Sequence, residues 1–127
     1  MQRAARVAVA EDNPDMRRLV ADALRRDGYS VVELEDGARL QIEVAQLSSE
    51  AVDLIVSDVR MPLVTGLEIL RDLRKLGSKT PFVLMTAFGD EATRREAVQL
   101  GAIVFSKPFK LDELRSVVRA LIEGARK

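Results

Sequence analysis

Val7-Ala8-Val9-Ala10-Glu11-Asp12-Asn13-Pro14 reads as the end of one structural element and the start of another. Four apolar residues without a polar break suit a strand covered on both faces. Asn13-Pro14 then supplies an N-cap and a proline at the first helical position. Beyond it, Met16, Leu19, Val20, Ala23 and Leu24 recur every three to four positions, the stripe of an amphipathic helix. The stretch therefore predicts a strand, a short acidic turn and a helix.

The same alternation recurs four more times. Strands are expected at Val7 to Ala10, Val31 to Leu34, Leu54 to Val56, Phe82 to Met85 and Ala102 to Phe105. Helical stripes follow at Leu40, Val44 and Leu47, with Ile42 out of phase; at Ile69, Leu73 and Leu76; and at Leu114, Val117, Val118, Leu121 and Ile122. Thr65 and Glu68 have the spacing of a capping box. Gly28, Gly37, Gly77, Gly89 and Gly101 punctuate the junctions. The pattern predicts an α/β fold, a (βα)5 doubly wound five-stranded parallel sheet of flavodoxin-like type with helices on both faces.

Composition removes many chemistries. The chain has 127 residues, 20 basic and 20 acidic side chains, and neither cysteine nor histidine. This length suits one domain, residues 1–127, and leaves no room for a separate effector. Thiolate or imidazole metal sites, Cys or Ser-His nucleophile systems and disulfide frameworks are excluded. A metal would have to be a hard cation held by oxygen. Zero formal net charge gives no global field toward nucleic acid or an anionic membrane. The uncharged runs at 80–89 and 97–106 fall far short of the roughly 18 residues that span a bilayer. The start lacks the apolar core of a signal peptide, so a soluble, cytoplasmic protein is expected.

Open sheets of this kind bind ligands beyond the carboxyl ends of their strands. Glu11 and Asp12 follow the first expected strand, Asp58 the third, Thr86 the fourth and Lys107-Pro108 the fifth. Three carboxylates brought to one edge repel each other, so a cation holds them or at least one pKa rises. An oxygen-only cluster suits Mg2+. With the compact charge of Lys107 and the hydroxyl of Thr86, these residues describe a phosphoryl site.

The segments Val9-Ala10-Glu11-Asp12-Asn13-Pro14-Asp15, Ser57-Asp58-Val59-Arg60-Met61-Pro62 with Gly66, Met85-Thr86-Ala87 and Lys107-Pro108-Phe109 resemble the receiver domain of bacterial two-component response regulators. The resemblance covers nearly the whole chain, and the stretch from Met85 to Asp90 is most similar to receivers of the nitrogen-regulator type. It implies that Asp58 is the phosphoacceptor, attacking a phosphohistidine in line to form an acyl phosphate. It further implies that Glu11, Asp12, Asp58 and the backbone carbonyl of Arg60 hold Mg2+, Asp12 more directly than Glu11. Lys107 then neutralises the transferring oxygens, Thr86 turns its hydroxyl to the bound phosphoryl group, and Ala87 leaves that group room. The Lys107-Pro108 peptide is expected to be cis. Such a protein catalyses its own phosphorylation and autodephosphorylation without being an enzyme in the ordinary sense.

This chain departs from the family pattern at two places. The switch aromatic of receivers lies three residues before the lysine, where Val104 stands here, and the interval from Thr86 to Lys107 is about one residue short. Phe105 should point to the opposite face, into the core. The second departure is Phe88, which with Arg60 flanks the path of the hydrolytic water in receivers. A bulky apolar Phe88 is expected to disfavour that water and prolong the phosphorylated state.

The helix expected at 90–100 offers only Ala92, Ala97, Val98 and Leu100 to a core, so it should move readily. The resemblance makes the fourth helix, fifth strand and fifth helix the output face. Its partners are a sensor histidine kinase or phosphotransfer protein upstream and an output domain or protein downstream. A phosphorylation-dependent homodimer is a further expectation, with no direct nucleic-acid or membrane binding. Competing readings are a Mg2+-dependent phosphohydrolase of similar topology and a pseudo-receiver that acts without phosphorylation. Arg60 stands where aspartyl hydrolases carry a second Asp, and the intact acceptor, acidic pair, Thr and Lys oppose the pseudo-receiver.

Overall fold

The computed structural model describes residues 3–45, 52–87 and 90–125. In chain order these form β1 (Arg6–Ala10), α1 (Pro14–Arg26), β2 (Ser30–Leu34), α2 (Gly37–Ala45), β3 (Leu54–Asp58), α3 (Gly66–Lys75), β4 (Phe82–Ala87), α4 (Glu91–Gln99), β5 (Ile103–Lys107) and α5 (Leu111–Ala125). The strands make one parallel sheet in the order β2-β1-β3-β4-β5. This is the flavodoxin-like arrangement expected from the alternation. Leu47, expected on the α2 stripe, lies outside the described residues.

Three strands run further than apolar pattern alone predicts. Asp58, Thr86 and Lys107 lie within their strands, where the expectation put them just after the strand ends. The ladder explains the correction: Asp58 pairs with Met85, Thr86 with Ser106 and Ala87 with Lys107. Backbone pairing continues through polar residues because it uses main-chain groups, whatever the side chain. These side chains are therefore held by the sheet itself.

Two apolar layers flank the sheet. Val20 and Leu24 of α1 and Leu114, Val118 and Ile122 of α5 pack on Val7, Val9, Val56, Val83 and Met85. On the other face, Leu40, Ile69, Leu70 and Ala97 from α2, α3 and α4 cover Ala8, Ile55, Phe82 and Leu84. Each fully buried Leu or Ile of this kind contributes about 1.5–3 kcal/mol relative to exposure. Two stripe residues turn outward instead: Leu19 and Leu76 are exposed. Leu19 sits at the rim of α1, and Leu76 is already the C-cap of α3, past the last helical turn.

Helix ends follow the local chemistry of the sequence. The Asn13 side chain accepts from the Met16 amide at 3.0 Å, and Thr65 Oγ1 accepts from Glu68 at 3.2 Å. Asp90 caps α4 through the Thr93 amide. Of the four α4 residues expected in the core, Ala97 is buried and Leu100 half-buried, whereas Ala92 and Val98 face solvent.

Polar ties hold what apolar contact does not. Arg71 of α3 forms a paired salt bridge with Glu96 of α4. The half-buried Arg74 guanidinium donates to the carbonyls of Leu100 at 2.7 Å, Ser78 at 3.1 Å and Thr80 at 2.9 Å. One side chain thus closes the end of α3, the loop after it and the end of α4. Arg74→Met keeps the aliphatic stem and removes the donors, leaving three carbonyls without this partner. We expect it to cost about 2–3 kcal/mol, read as a lower urea midpoint.

A second tie joins α1 to α5. Asp27, nearly buried, accepts from Arg115 at 2.9 and 2.7 Å. The hydrogen-bonded guanidinium holds the Asp27 carboxyl below its ordinary range, against the opposing effect of burial. A carboxylate with a depressed folded pKa stabilises the fold above its unfolded pKa of about 3.9, and that contribution disappears as pH falls through the folded value. Urea midpoints should therefore fall below about pH 4, and Arg115→Met should flatten that dependence while lowering stability at pH 7.

Candidate functional site

At the carboxyl edge of the sheet, β1, β3 and β5 bring one charged cluster together. Glu11 follows β1 and is 1% exposed; its amide donates to Leu34 and its carbonyl accepts from Arg17. Asp58 ends β3 and is also buried. Lys107 ends β5, and its Nζ donates to Glu11 Oε1 at 2.7 Å and to Asp58 Oδ2 at 2.8 Å. A lysine from the far edge thus bridges the two buried carboxylates. The Lys107-Pro108 peptide is cis.

Glu11, Asp12 and Asp58 each offer a carboxylate oxygen, and these oxygens all lie within 4.8 Å of one another. The three differ in what they have free. Glu11 spends one oxygen on Lys107 and the other on the Asn13 amide at 3.2 Å, whereas Asp12 is exposed. A hydrogen bond to the Glu11 carboxylate raises the Asp12 pKa, with burial and the charge of Glu11 adding to it. Burial opposes the charge on Lys107, but hydrogen bonds to Asp58 and Glu11 and their negative charges outweigh it and raise its pKa. The lysine is therefore an ammonium at any physiological pH.

Thr86, last but one in β4, is 2% exposed. Its Oγ1 is buried without a hydrogen-bond partner among the described residues. An unsatisfied buried hydroxyl costs about 1–3 kcal/mol, and an acceptor brought within its reach would relieve that cost. Ala87 beside it is exposed and pairs with Lys107 in the ladder. The Arg60 amide lies 3.4 Å from Asp58 Oδ1, and its side chain is exposed. Phe88 lies outside the described residues.

Val104 and Phe105 separate as strand alternation requires. Val104 packs on the layer of α2, α3 and α4, and Phe105 on that of α1 and α5, its ring 5.8 Å from that of Phe109. Two supports of the site drew no functional reading from sequence. Ser57 is fully buried, and its hydroxyl donates to the Asp58 carbonyl at 2.9 Å. Gly37 abuts the β3–α3 loop, where a Cβ would lie 1.8 Å from the Val64 carbonyl oxygen. No rule of spacing points to either, because each acts on backbone brought near by the fold.

Residues 7–119 match the response regulator receiver domain family. The chain belongs to that family. This receiver is 37% identical over 117 residues to the transcriptional regulatory protein TcrA of Mycobacterium tuberculosis, covering 91% of this chain and 45% of that one. It is 27% identical to the sporulation initiation phosphotransferase F of Bacillus subtilis, covering 90% of both. Among solved structures it resembles the Francisella response regulator 1452 receiver domain, with a TM-score of 0.85 at 26% identity, covering 94% of this chain and 97% of that one. The receiver spans 25% to 51% of the length of the regulatory proteins AtoC, TcrA and TctD that it matches. Receiver domains work with histidine kinases and output domains and generally have an acidic pocket, and a cluster of Glu11, Asp12 and Asp58 is present here. Among the described residues no helix is long and apolar enough to cross a membrane.

Proposed function

We propose that Asp58 is the phosphoacceptor of this receiver and that its phosphorylation switches a partner-binding surface. The observation that carries this is the bridge from Lys107 Nζ to Asp58 Oδ2 at 2.8 Å, beside two further carboxylates. An Asp58 oxygen attacks the phosphorus of a phosphohistidine; a P–O bond forms, the P–N bond breaks, and its electron pair leaves with the imidazole. The half-buried Lys107 ammonium faces the oxygens on which charge accumulates, in a site that needs no rearrangement to supply it. The phosphoryl group adds an acceptor that satisfies the Thr86 hydroxyl, and Ala87 gives it room.

The donor set fits a hard cation: three carboxylates, with no thiolate or imidazole in the chain. Asp12 and Asp58 would hold Mg2+ directly with the Arg60 carbonyl, and Glu11 would support them while orienting Lys107. When bound, the ion supplies positive charge to the phosphoryl oxygens. The donor is the phosphohistidine of a histidine kinase or phosphotransfer protein of the cytoplasm; residues 1–127 contain no histidine. The output face is α4, β5 and α5, read by an output domain or by a second copy of the phosphorylated receiver.

Intact mass after incubation with acetyl phosphate and Mg2+ tests this. The chain should gain one phosphoryl group, and Asp58→Ala should gain none. Continuous hydrolysis of phosphomonoesters would instead indicate a phosphohydrolase, and no gain in the unaltered chain would indicate a receiver that works unphosphorylated.

A further inference from the structure

We propose that Arg94 is the residue that transmits the state of Thr86 to α4, through its hydrogen bond to Ser106; the proposal rests on the phosphorylation reading above. The Arg94 guanidinium, in the first turn of α4, donates to the Ser106 hydroxyl on β5. Ser106 is the ladder partner of Thr86. Leu84 and Val104 belong to the layer beneath α2, α3 and α4, and alternation puts Thr86 and Ser106, two residues further on, on that same face. Ladder partners on one face of neighbouring strands are side-chain neighbours, because the strands lie about 4.8 Å apart. The tie from α4 therefore lands next to the buried hydroxyl that lacks a partner.

The rest of α4 gives this tie its weight. Ala97 is its one buried residue, and the Arg71 and Arg74 bonds act on Glu96 and Leu100, toward the other end. The first turn is held to the sheet through Ser106. When Thr86 turns its hydroxyl to the phosphoryl group, the surface on which Ser106 and the guanidinium rest changes, and the added negative charge draws on the same cation. The tie gives way, and the α4–β5 face is released from its first turn onward. The half-buried Val104, two residues before Ser106, leaves the guanidinium access to β5.

Hydrogen exchange of the 91–99 segment, measured with and without acetyl phosphate and Mg2+, tests the proposal. Arg94→Met and Ser106→Ala remove either half of the tie, and Arg95→Met removes a neighbouring exposed charge from the same helix. In wild type and Arg95→Met, phosphorylation should speed exchange about 5- to 10-fold, as expected for the net loss of one partly exposed hydrogen bond. Arg94→Met and Ser106→Ala should already exchange at the fast rate when unphosphorylated, with little further change. Wild-type rates in unphosphorylated Arg94→Met, or an equal phosphorylation effect in all four proteins, would overturn the proposal. The two readings fail separately. Intact mass shows whether Asp58 is phosphorylated, and the unphosphorylated comparison reads the tie without it.

Discussion

Lys107→Ala is expected to take up phosphoryl groups from acetyl phosphate about 10²- to 10³-fold more slowly than the unaltered chain, and Asp58→Asn to take up none. The ammonium is the one cation bonded to the Asp58 carboxylate among the described residues, at 2.8 Å. Its other bond, to Glu11 at 2.7 Å, holds it in place from a carboxylate that is 1% exposed. Removing it takes away both charge stabilisation and the partner of a buried acid. The protein should therefore also lose stability, about 2–3 kcal/mol without divalent cation, and millimolar Mg2+ should narrow that gap by holding the carboxylates instead. Lys107→Arg should fall between, because a planar fork does not replace a point charge set between two carboxylates. Quenched time points followed by intact mass give the rates. A Lys107→Ala rate within about fivefold of wild type would remove the lysine from the mechanism.

The strand ends were legible because their chemistry is anomalous for their position. Glu11, Asp58 and Lys107 terminate runs that are largely apolar, and burying such groups is costly unless they meet. Chain order and the switch-edge rule then bring them together without any knowledge of distances. The oxygen-only character of the donor set was equally legible from the absence of cysteine and histidine. Helix α4 was legible as weakly anchored, but what anchors it was not. Arg71, Arg74 and Arg94 look like ordinary surface arginines, and their partners Glu96, Leu100 and Ser106 lie 12 to 26 residues away. Leu63 is a further case: it adopts φ 76° in the β3–α3 loop, a conformation that normally selects glycine or asparagine, and so carries no sequence signal of its turn. Periodicity reports which face of an element is buried, whereas pair contacts between faces depend on register and rotamer.

Two glycines set how closely the loop after Asp58 is gripped. A Cβ on Gly66 would stand 2.4 Å from the Asp58 carbonyl oxygen and 2.7 Å from Ser57 Oγ, and one on Gly37 would stand 1.8 Å from the Val64 carbonyl oxygen. Both obstacles are chiefly backbone, which cannot swing aside as a side chain does. The Gly66 amide is also bonded to the Val59 carbonyl at 3.1 Å, so α3 cannot back away without breaking the turn. Gly66→Ala should cost about 3 kcal/mol, the upper end of overpacking, and Gly37→Ala more, enough to leave much of the chain unfolded at 37 °C. Gly28→Ala is the contrast. At φ 98° with nothing within 4 Å of a Cβ, it meets backbone strain alone and should cost about 1 kcal/mol. The consequence for function separates these positions further. Whatever fraction of Gly66→Ala folds has the acceptor strand end displaced from Lys107, so its phosphorylation rate per folded molecule should fall, whereas Gly28→Ala, at the other edge of the sheet, should phosphorylate at the wild-type rate. If folded Gly66→Ala matched wild type in that rate, close packing at residue 66 would serve stability and not the placement of Asp58.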